Sequence, residues 1–367
     1  MTTAPAEPLD VLVAGPVFFD VVFTGLPAAP SPGTEVWAQG MGTAPGGIAN
    51  LAVPMARLGL RTGMAAGFGD DAYADWLWTV LAEQEGVDLS ASRRYRHWHT
   101  SVTVSMASGR DRAMVTHGHP DPEPAHHLLG DPPAARAVVT ELVPAGETDG
   151  WWRPMADEGT LVFADAAWDP SGAWDAALSE RLDGCYAFTP NAAEAMAYTR
   201  TADPAEAARV LAEHVPLVVV TLGGDGALAV EGGREVRVEP LDVDAIDATG
   251  AGDVFAAALV TGTLHGWPLE QRLRFATLCS GLAVQHFGGS LAAPGWGDIA
   301  DWWDATVGAA RTGAPGARAT ADRYEFLTDV LPGRALARVR RAEATIARLS
   351  DAQHGTAAPA TPTLRTR

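Results

Sequence analysis

Short uninterrupted apolar runs alternate with amphipathic stretches along most of the chain. DVLVAG (10–15), MAAGFG (64–69), TLVFADA (160–166), CYAFTPN (185–191) and LVVVTLGG (217–224) have the length and apolar density of buried strands. GGIANLAVPMARLG (46–59), DDAYADWLWTVLAEQEG (70–86) and DPAEAARVLAEHV (203–215) read as helices, as does the stretch that follows DATGAGDVF (247–255). Alternation of this kind predicts right-handed crossovers and a largely parallel sheet with helices on both faces. The expected fold class is therefore α/β.

Four runs break that rhythm. VVFTGL (21–26) and TEVWAQ (34–39) read as short strands split by a turn-rich PAAPSPG. WHTSVTVSMA (98–107) and RAMVTH (112–117) read as a hairpin around residues 108–111. Segments 17–44 and 95–118 are expected to form one small separate sheet over the edge of the main domain, with Phe18, Phe19, Trp37 and Trp98 mostly in its core. Residues 118–150, rich in Pro, Gly and His, show no readable pattern.

The C-terminal part differs in charge. Residues 311–367 carry ten arginines against five acids, a net of +5, which leaves −24 on residues 1–310. The expected organisation is a catalytic body over 1–310 and a basic extension over 311–367. Within the extension, 334–349 reads as a basic amphipathic helix docking on the acidic body, before a disordered end.

Composition narrows the chemistry. A net charge of −19 argues against nucleic acid as a partner. All 26 cationic residues are arginine. Without lysine, a Walker-A loop, a protein-kinase site, a Schiff-base aldolase and a pyridoxal-phosphate enzyme are excluded. Cys185 and Cys279 do not form a CxxC and are expected as reduced core fillers. MTTAPAEPLD has neither the basic start nor the apolar core of a secretory leader, and no 18-residue apolar run occurs. A cytoplasmic protein with no membrane contact is expected.

The residues able to carry chemistry are few. Gly250, Ala251 and Gly252 open a helix directly before Asp253. Small residues let backbone N–H groups converge at the positive end of the helix dipole, where an anion is held without lysine. Asp253 can then face the other way and take a proton from an attacking hydroxyl. The plain alternative is an ordinary helix start with an acid in its first turn. Asn191 and Glu194 lie three apart after a strand. They suit a capping box, or contact through water with a metal on nucleotide phosphates. TLGGDGA (221–227) suits a tight turn, or close approach of a nucleotide. Gly46 and Gly47 precede a helix with Asn50 in its first turn, and Asp20 follows the first strand. Asn50 and Asp20 can hold hydroxyls, or be a loop cap and a surface acid.

Together and in this order these motifs resemble the ribokinase-like (PfkB) carbohydrate kinase family. GGIANLAVPMARLG is similar to its first signature and DATGAGDVFAAAL to its second. NAAE (191–194), TLGGDG (221–226), GFGDD (67–71) and GVD (86–88) also sit where family members have them, and the likeness spans about residues 10–300. It implies a three-layer α/β sandwich with a β lid, and ATP-dependent phosphorylation of a hydroxyl on a sugar or nucleoside. It implies Asp253 as general base and Gly250, Ala251 and Gly252 as anion hole. Asn191, Glu194, Thr221, Gly223 and Gly226 fall on the nucleotide side, with Glu194 reaching Mg2+ through water. Asp20, Gly46, Gly47 and Asn50 fall on the acceptor side, and Asp247 and Thr249 match a monovalent-cation loop for K+. A homodimer through the lid is a further implication. A silent sugar- or nucleotide-binding regulator is the non-enzymatic alternative, against which the intact Asp253 and anion hole speak. Two departures stand out. Pro54 interrupts the first-signature helix, where a kink is expected. The lysine that follows the paired glycines in ribokinases proper is missing, which makes ribose less favoured as acceptor.

Overall fold

A computed structural model describes residues 8–108, 111–142, 150–166, 174, 181–286 and 288–332. Its centre is a sheet of eight strands. They are β1 (Leu9–Ala14), β4 (Thr62–Ala65), β9 (Ala135–Leu142), β10 (Leu161–Ala166), β11 (Ala187–Phe188), β12 (Leu217–Thr221), β13 (Ala227–Glu231) and β14 (Arg234–Val238). The order is β14-β13-β12-β11-β10-β9-β1-β4. The six from β12 to β4 run parallel, and β13 and β14 add an antiparallel edge.

Alternate residues of these strands feed two cores, as the two-residue period of a strand requires. Val11, Val13, Val139, Phe163, Leu217 and Val219 face the helices Ala49–Arg57, Ala251–Leu264 and Leu269–Ala283. Leu12, Val138, Val162, Phe188, Val218 and Val220 face the other way, toward Trp152, Met155 and the helices Ala192–Thr199 and Pro204–Leu211. The result is the three-layer sandwich expected from the alternating pattern.

A second sheet stands apart: β3 (Gly40–Gly47), β2 (Val17–Thr24), β7 (Ser101–Ser108) and β8 (Asp111–His117), in that order. β2 pairs parallel with β7, and the other pairs are antiparallel. Phe19 packs on Tyr73 and Trp76 at ring-centroid distances of 4.8 and 5.1 Å, tying this sheet to the helix Ala72–Trp78 of the body. The Thr100 N–H donates to Asp71 Oδ2 at 2.6 Å, a second anchor.

Several details differ from the sequence reading. Residues 34–39 form no strand; the strand is 40–47, and Trp37 is 78% exposed rather than in a lid core. A turn-rich approach and a lone aromatic outweighed the β-branched character of TEVWAQ. The first-signature helix begins at Ala49, because Gly46 and Gly47 belong to β3. It runs through Pro54 to Arg57; the proline removes only the N–H that would bond the Asn50 carbonyl. β9 falls in the stretch without a readable pattern, yet it sits in the middle of the sheet.

Cys185 and Cys279 are both free and buried. No helix among the described residues is long and apolar enough to cross a membrane. The helix Trp296–Arg311 crosses position 310, and Tyr324 and Leu327 beyond it are fully buried in the first of the two cores. The expected helix over 334–349 lies outside the described residues.

Candidate active site

The parallel strands deliver their chemistry at their carboxyl ends, where open α/β sheets bind ligands. β10 ends on Asp165 and Ala166, β12 ends on Thr221, and an isolated bridge pairs Thr221 with Asn191. The helix Ala251–Leu264 points its N-terminus at the same place.

That N-terminus starts from Gly250, at φ +72°, a left-handed conformation that favours glycine. A β-carbon at 250 would also stand 3.1 Å from Gly289 Cα. Asp247 clips the turn: Oδ1 accepts the Thr249 N–H at 2.9 Å and Oδ2 accepts the Gly288 N–H at 3.2 Å. The Ala251 N–H donates back to the Ala248 carbonyl at 3.2 Å, so that amide is engaged within the turn. Gly252 and Asp253 lie in the first helical turn, where backbone N–H groups point out of the end of the helix. Among the described residues outside its own helix backbone, no atom lies within 4 Å of a β-carbon built on Gly252, so its surface is open.

Two cavities meet at Gly252. The larger, about 720 Å³, is lined by Asn191, Thr221, Gly223, Gly226, Ala251 and Gly252 together with Leu241, Val243, Phe255 and Val284. Its size suits a nucleotide, and its apolar wall suits a flat base. That wall went unseen in the sequence, because Leu241 and Val243 stand on a segment with no pattern of its own. Gly226, at φ +89°, lies against the Val238 carbonyl where no side chain fits.

The smaller cavity, about 170 Å³, is lined by Asp165, Thr189, Asn191, Glu194, Thr221, Gly252 and Asp253. Asn191 and Glu194 form a reciprocal capping box: the Asn191 N–H donates to Glu194 Oε2 at 2.9 Å and the Glu194 N–H to Asn191 Oδ1 at 3.0 Å. The capping reading of this pair is realised, and the same two residues line both the cap and the cavity wall. Asp165 is the residue the sequence reading missed. Burial pushes its carboxyl well above the usual range, and the charges of Asp253, Glu141 and Glu194 push the same way against the Ala166 N–H it accepts. Burial also raises Glu194 and Glu141. Asp165, Glu194 and Asp253 line one cavity and offer only oxygen donors, the chemistry that suits a hard divalent ion such as Mg2+.

The acceptor-side residues meet on the other flank of the turn. Asp20, in β2, lies opposite Ala44 in β3 and Thr103 in β7. Gly46 packs so closely on it that any β-carbon there would overlap the carboxylate. Burial raises the Asp20 carboxyl to about 7; a hydrogen bond from Thr103 opposes this and the charge of Asp247 adds to it. Asn50 Oδ1 is buried with no hydrogen-bond partner among the described residues, and a β-carbon on Gly289 would stand 2.8 Å from it. An orphaned buried oxygen of this kind calls for a donor from outside the chain. Gly47, at φ +62°, turns the chain between Asp20's sheet and Asn50's helix. Trp98 is committed elsewhere: its indole N–H donates to the Pro120 carbonyl at 3.2 Å and its ring meets Tyr95 edge-on.

Comparison with known proteins bears on this arrangement. The profile of the pfkB family carbohydrate kinases matches residues 27–295. The fructoselysine 6-kinase of Shigella flexneri is 29% identical over 253 residues, 66% of this chain and 90% of that protein. The ribokinase of Bacillus subtilis (strain 168) is 27% identical over 285 residues, 76% and 94%. Among solved structures, Arabidopsis thaliana ribokinase complexed with ribose and ATP matches with a TM-score of 0.66 at 22% identity, covering 80% of this chain and 98% of that one, a likeness of fold. The chain has the ribokinase-like fold, and it belongs to the pfkB family of carbohydrate kinases.

Proposed function

We propose that this kinase moves the γ-phosphoryl group of ATP to a hydroxyl of a sugar or sugar-like acceptor, with Asp253 as general base. The observation that carries the proposal is the position of Gly252 and Asp253. Gly252 stands where the nucleotide-sized cavity meets the carboxylate cavity, and Asp253 beside it lines the carboxylate cavity, on the open first turn of a helix. In this reading the base of ATP lies along Leu241, Val243 and Val284, and the phosphates pass Thr221, Gly223 and Gly226 toward Gly252. The first-turn amides of Gly252 and Asp253 hold the group in transfer, aided by the helix dipole. Ala251 contributes the turn rather than its amide, and Gly250 the left-handed start. The Asp253 carboxylate takes the acceptor's hydroxyl proton as its oxygen attacks.

Asp165 and Glu194, with Asn191 holding Glu194 in place, would hold Mg2+. When bound, that ion neutralises phosphate charge that a chain without lysine leaves uncompensated. Asp247 and Thr249 would frame a K+ loop, which replacing K+ by choline tests. On the acceptor side, Asp20 accepts hydrogen bonds from hydroxyls and the orphaned Asn50 Oδ1 accepts another. The sheet β3-β2-β7-β8 acts as a lid whose closure keeps water from competing for the phosphoryl group. Exposed Trp37, Met114 and Val115 on that sheet and its loop support a homodimer formed through it.

Trp98 is tethered through its indole N–H to Pro120 and meets Tyr95 edge-on, and in this reading it braces the lid rather than the acceptor. The test is ADP release across a panel of aldoses, ketoses, their amine adducts and nucleosides, with ATP and Mg2+. Turnover concentrated on a sugar is expected. Turnover confined to nucleosides would replace the sugar reading by a nucleoside kinase.

A further inference from the structure

Three histidines gather at the base of the small sheet, outside the kinase site. His99 lies just before β7, His117 ends β8, and His119 follows two residues later. One ring nitrogen of each lies within 4.8 Å of those of the other two. The His99 ring stacks on His117 with centroids 4.9 Å apart and meets His119 edge-on at 4.8 Å. His117 and His119 are exposed and His99 is half-buried.

We propose that His99, His117 and His119 bind a divalent transition-metal ion of the zinc class. Three features carry this. First, the donors are three imidazoles, a set that suits zinc and its first-row neighbours rather than magnesium or calcium. Second, the His99 tautomer suits ligation. Its Nδ1 lies 3.0 Å from the Thr100 carbonyl, and a carbonyl can only accept. The proton therefore sits on Nδ1, and Nε2 of the neutral ring keeps its lone pair. Fixing a ligand's tautomer by a carbonyl at the other ring nitrogen is the usual outer support of a metal-bound histidine. Third, the backbone brings the two strands close at this point. The His117 and His119 rings meet edge-on with centroids 5.6 Å apart, so the two share a side. Gly118 between them lies against Ser101, where a β-carbon would overlap the Ser101 hydroxyl. Only glycine lets the 117–119 segment press onto the start of β7, beside His99.

A tetrahedral ion with bonds of about 2.0–2.1 Å needs nitrogens about 3.4 Å apart. Rotations of two exposed rings close the remaining gap. Three protein ligands leave a fourth position for water. The ion would also have a structural consequence. His99 stands between Trp98, whose carbonyl accepts the Asp70 N–H, and Thr100, whose N–H donates to Asp71. These bonds fix it to the body. His117 ends the edge strand of the small sheet and His119 follows it closely. A shared ion therefore fastens that edge strand to the body.

The test uses the full chain without an affinity tag, stripped with EDTA and exchanged into metal-free buffer. Co2+ is titrated alone and followed by visible absorption, then displaced by Zn2+. The expected result is one Co2+ per chain with the intense bands of a tetrahedral site, bleached by stoichiometric Zn2+. Octahedral Co2+ on the carboxylates of the kinase site gives only weak bands. His117→Ala/His119→Ala and the milder His117→Gln/His119→Gln should each lose the intense bands and bind at least about 10-fold more weakly. His126→Ala/His127→Ala, at the molecule's other histidine pair, should keep them. Zn2+ should slow amide exchange in residues 113–117 of the wild type only. Absence of tetrahedral bands in the wild type, or their survival in both double variants, would overturn the proposal. Unchanged exchange with Zn2+ bound would overturn the fastening of the edge strand.

Discussion

Gly46 stands directly against the carboxyl group of Asp20, with no room for a β-carbon between them. The strand pairing of β2 with β3 fixes this contact, since Asp20 lies opposite Ala44 and Gly46 is two residues on. Gly46→Ala must therefore displace the Asp20 carboxylate. If that carboxylate holds the acceptor, acceptor KM should rise about 10- to 100-fold, as expected for a binding group misplaced by about 1 Å. KM for ATP should stay within about twofold. Initial rates with each substrate varied in turn measure this; an unchanged acceptor KM would remove Asp20 from the acceptor site.

Asp20 also sets a pH dependence. Its carboxyl is raised to about 7 in the folded chain from 3.8, chiefly by burial. The folded state thus holds a proton that the unfolded state has released between about pH 4 and 7, so this group's contribution to stability is full below pH 4 and lost as pH rises through 7. Asp20→Asn should accordingly melt at higher temperature than the wild type at pH 8, with the gap closing toward pH 4. Acceptor binding runs the opposite way, because the ionised carboxylate is the better acceptor of hydroxyl hydrogen bonds. Acceptor kcat/KM should fall as pH drops through 7 in the wild type and lose that limb in Asp20→Asn.

Arg57 links the first-signature helix to the short helix Gly289–Ala292 beside Gly250. It is fully buried, donates to Glu85 Oε2 at 2.9 Å and Oε1 at 2.7 Å, and donates to the carbonyls of Leu291 and Ala293 at 3.0 and 2.7 Å. Arg57→Met should destabilise by about 3–5 kcal/mol, because it leaves a buried carboxylate without its bidentate partner. Arg57→Met/Glu85→Leu should recover much of the melting temperature. Neither variant restores the hold on residues 291–293, which follow Gly289 and its contact with Asn50, so acceptor KM should remain raised in both. Recovery of KM along with stability would show that the short helix needs no such hold.

Legibility in the sequence followed locality. The turn from Asp247 to Asp253 was readable because its chemistry is consecutive: the glycine at positive φ, the open Gly252 and the acid are neighbours in the chain. The Asn191–Glu194 cap was readable for the same reason. Asp165 was not, because its meaning depends on β10 lying between β9 and β11, which brings it to Asp253, 88 residues away. β9 was hidden because ARAVVTEL is short, carries Arg136 and Glu141, and follows a proline-rich approach. It is a strand through the company of β1 and β10 on either side rather than through its own pattern. Trp37 misled in the other direction: an aromatic in an extended segment suggested a core that the sheet does not build there.

Tyr324 tests how far the folded body extends beyond 310. Its ring is fully buried against Trp302 and Phe326, and its buried hydroxyl makes no well-formed hydrogen bond among the described residues, with burial raising it to about 12 and nearby Arg323 opposing that. Tyr324→Ala should cost about 3–5 kcal/mol as a large-to-small change in a core. Tyr324→Phe removes an unsatisfied buried hydroxyl and should leave stability unchanged or slightly raised. Chemical denaturation of the pair decides it; a mild Tyr324→Ala would mean the segment after 311 is a separable appendage.

The most direct test of the account is the turnover of Asp253→Asn. The substitution keeps the shape of the first turn and both cavities while removing the carboxylate that takes the acceptor's proton. With the best acceptor from the panel, kcat should fall about 100-fold or more while ATP binding, followed by calorimetry, stays within about threefold. A kcat near that of the wild type would contradict the assignment of Asp253 as the base and, with it, the mechanism built on this turn.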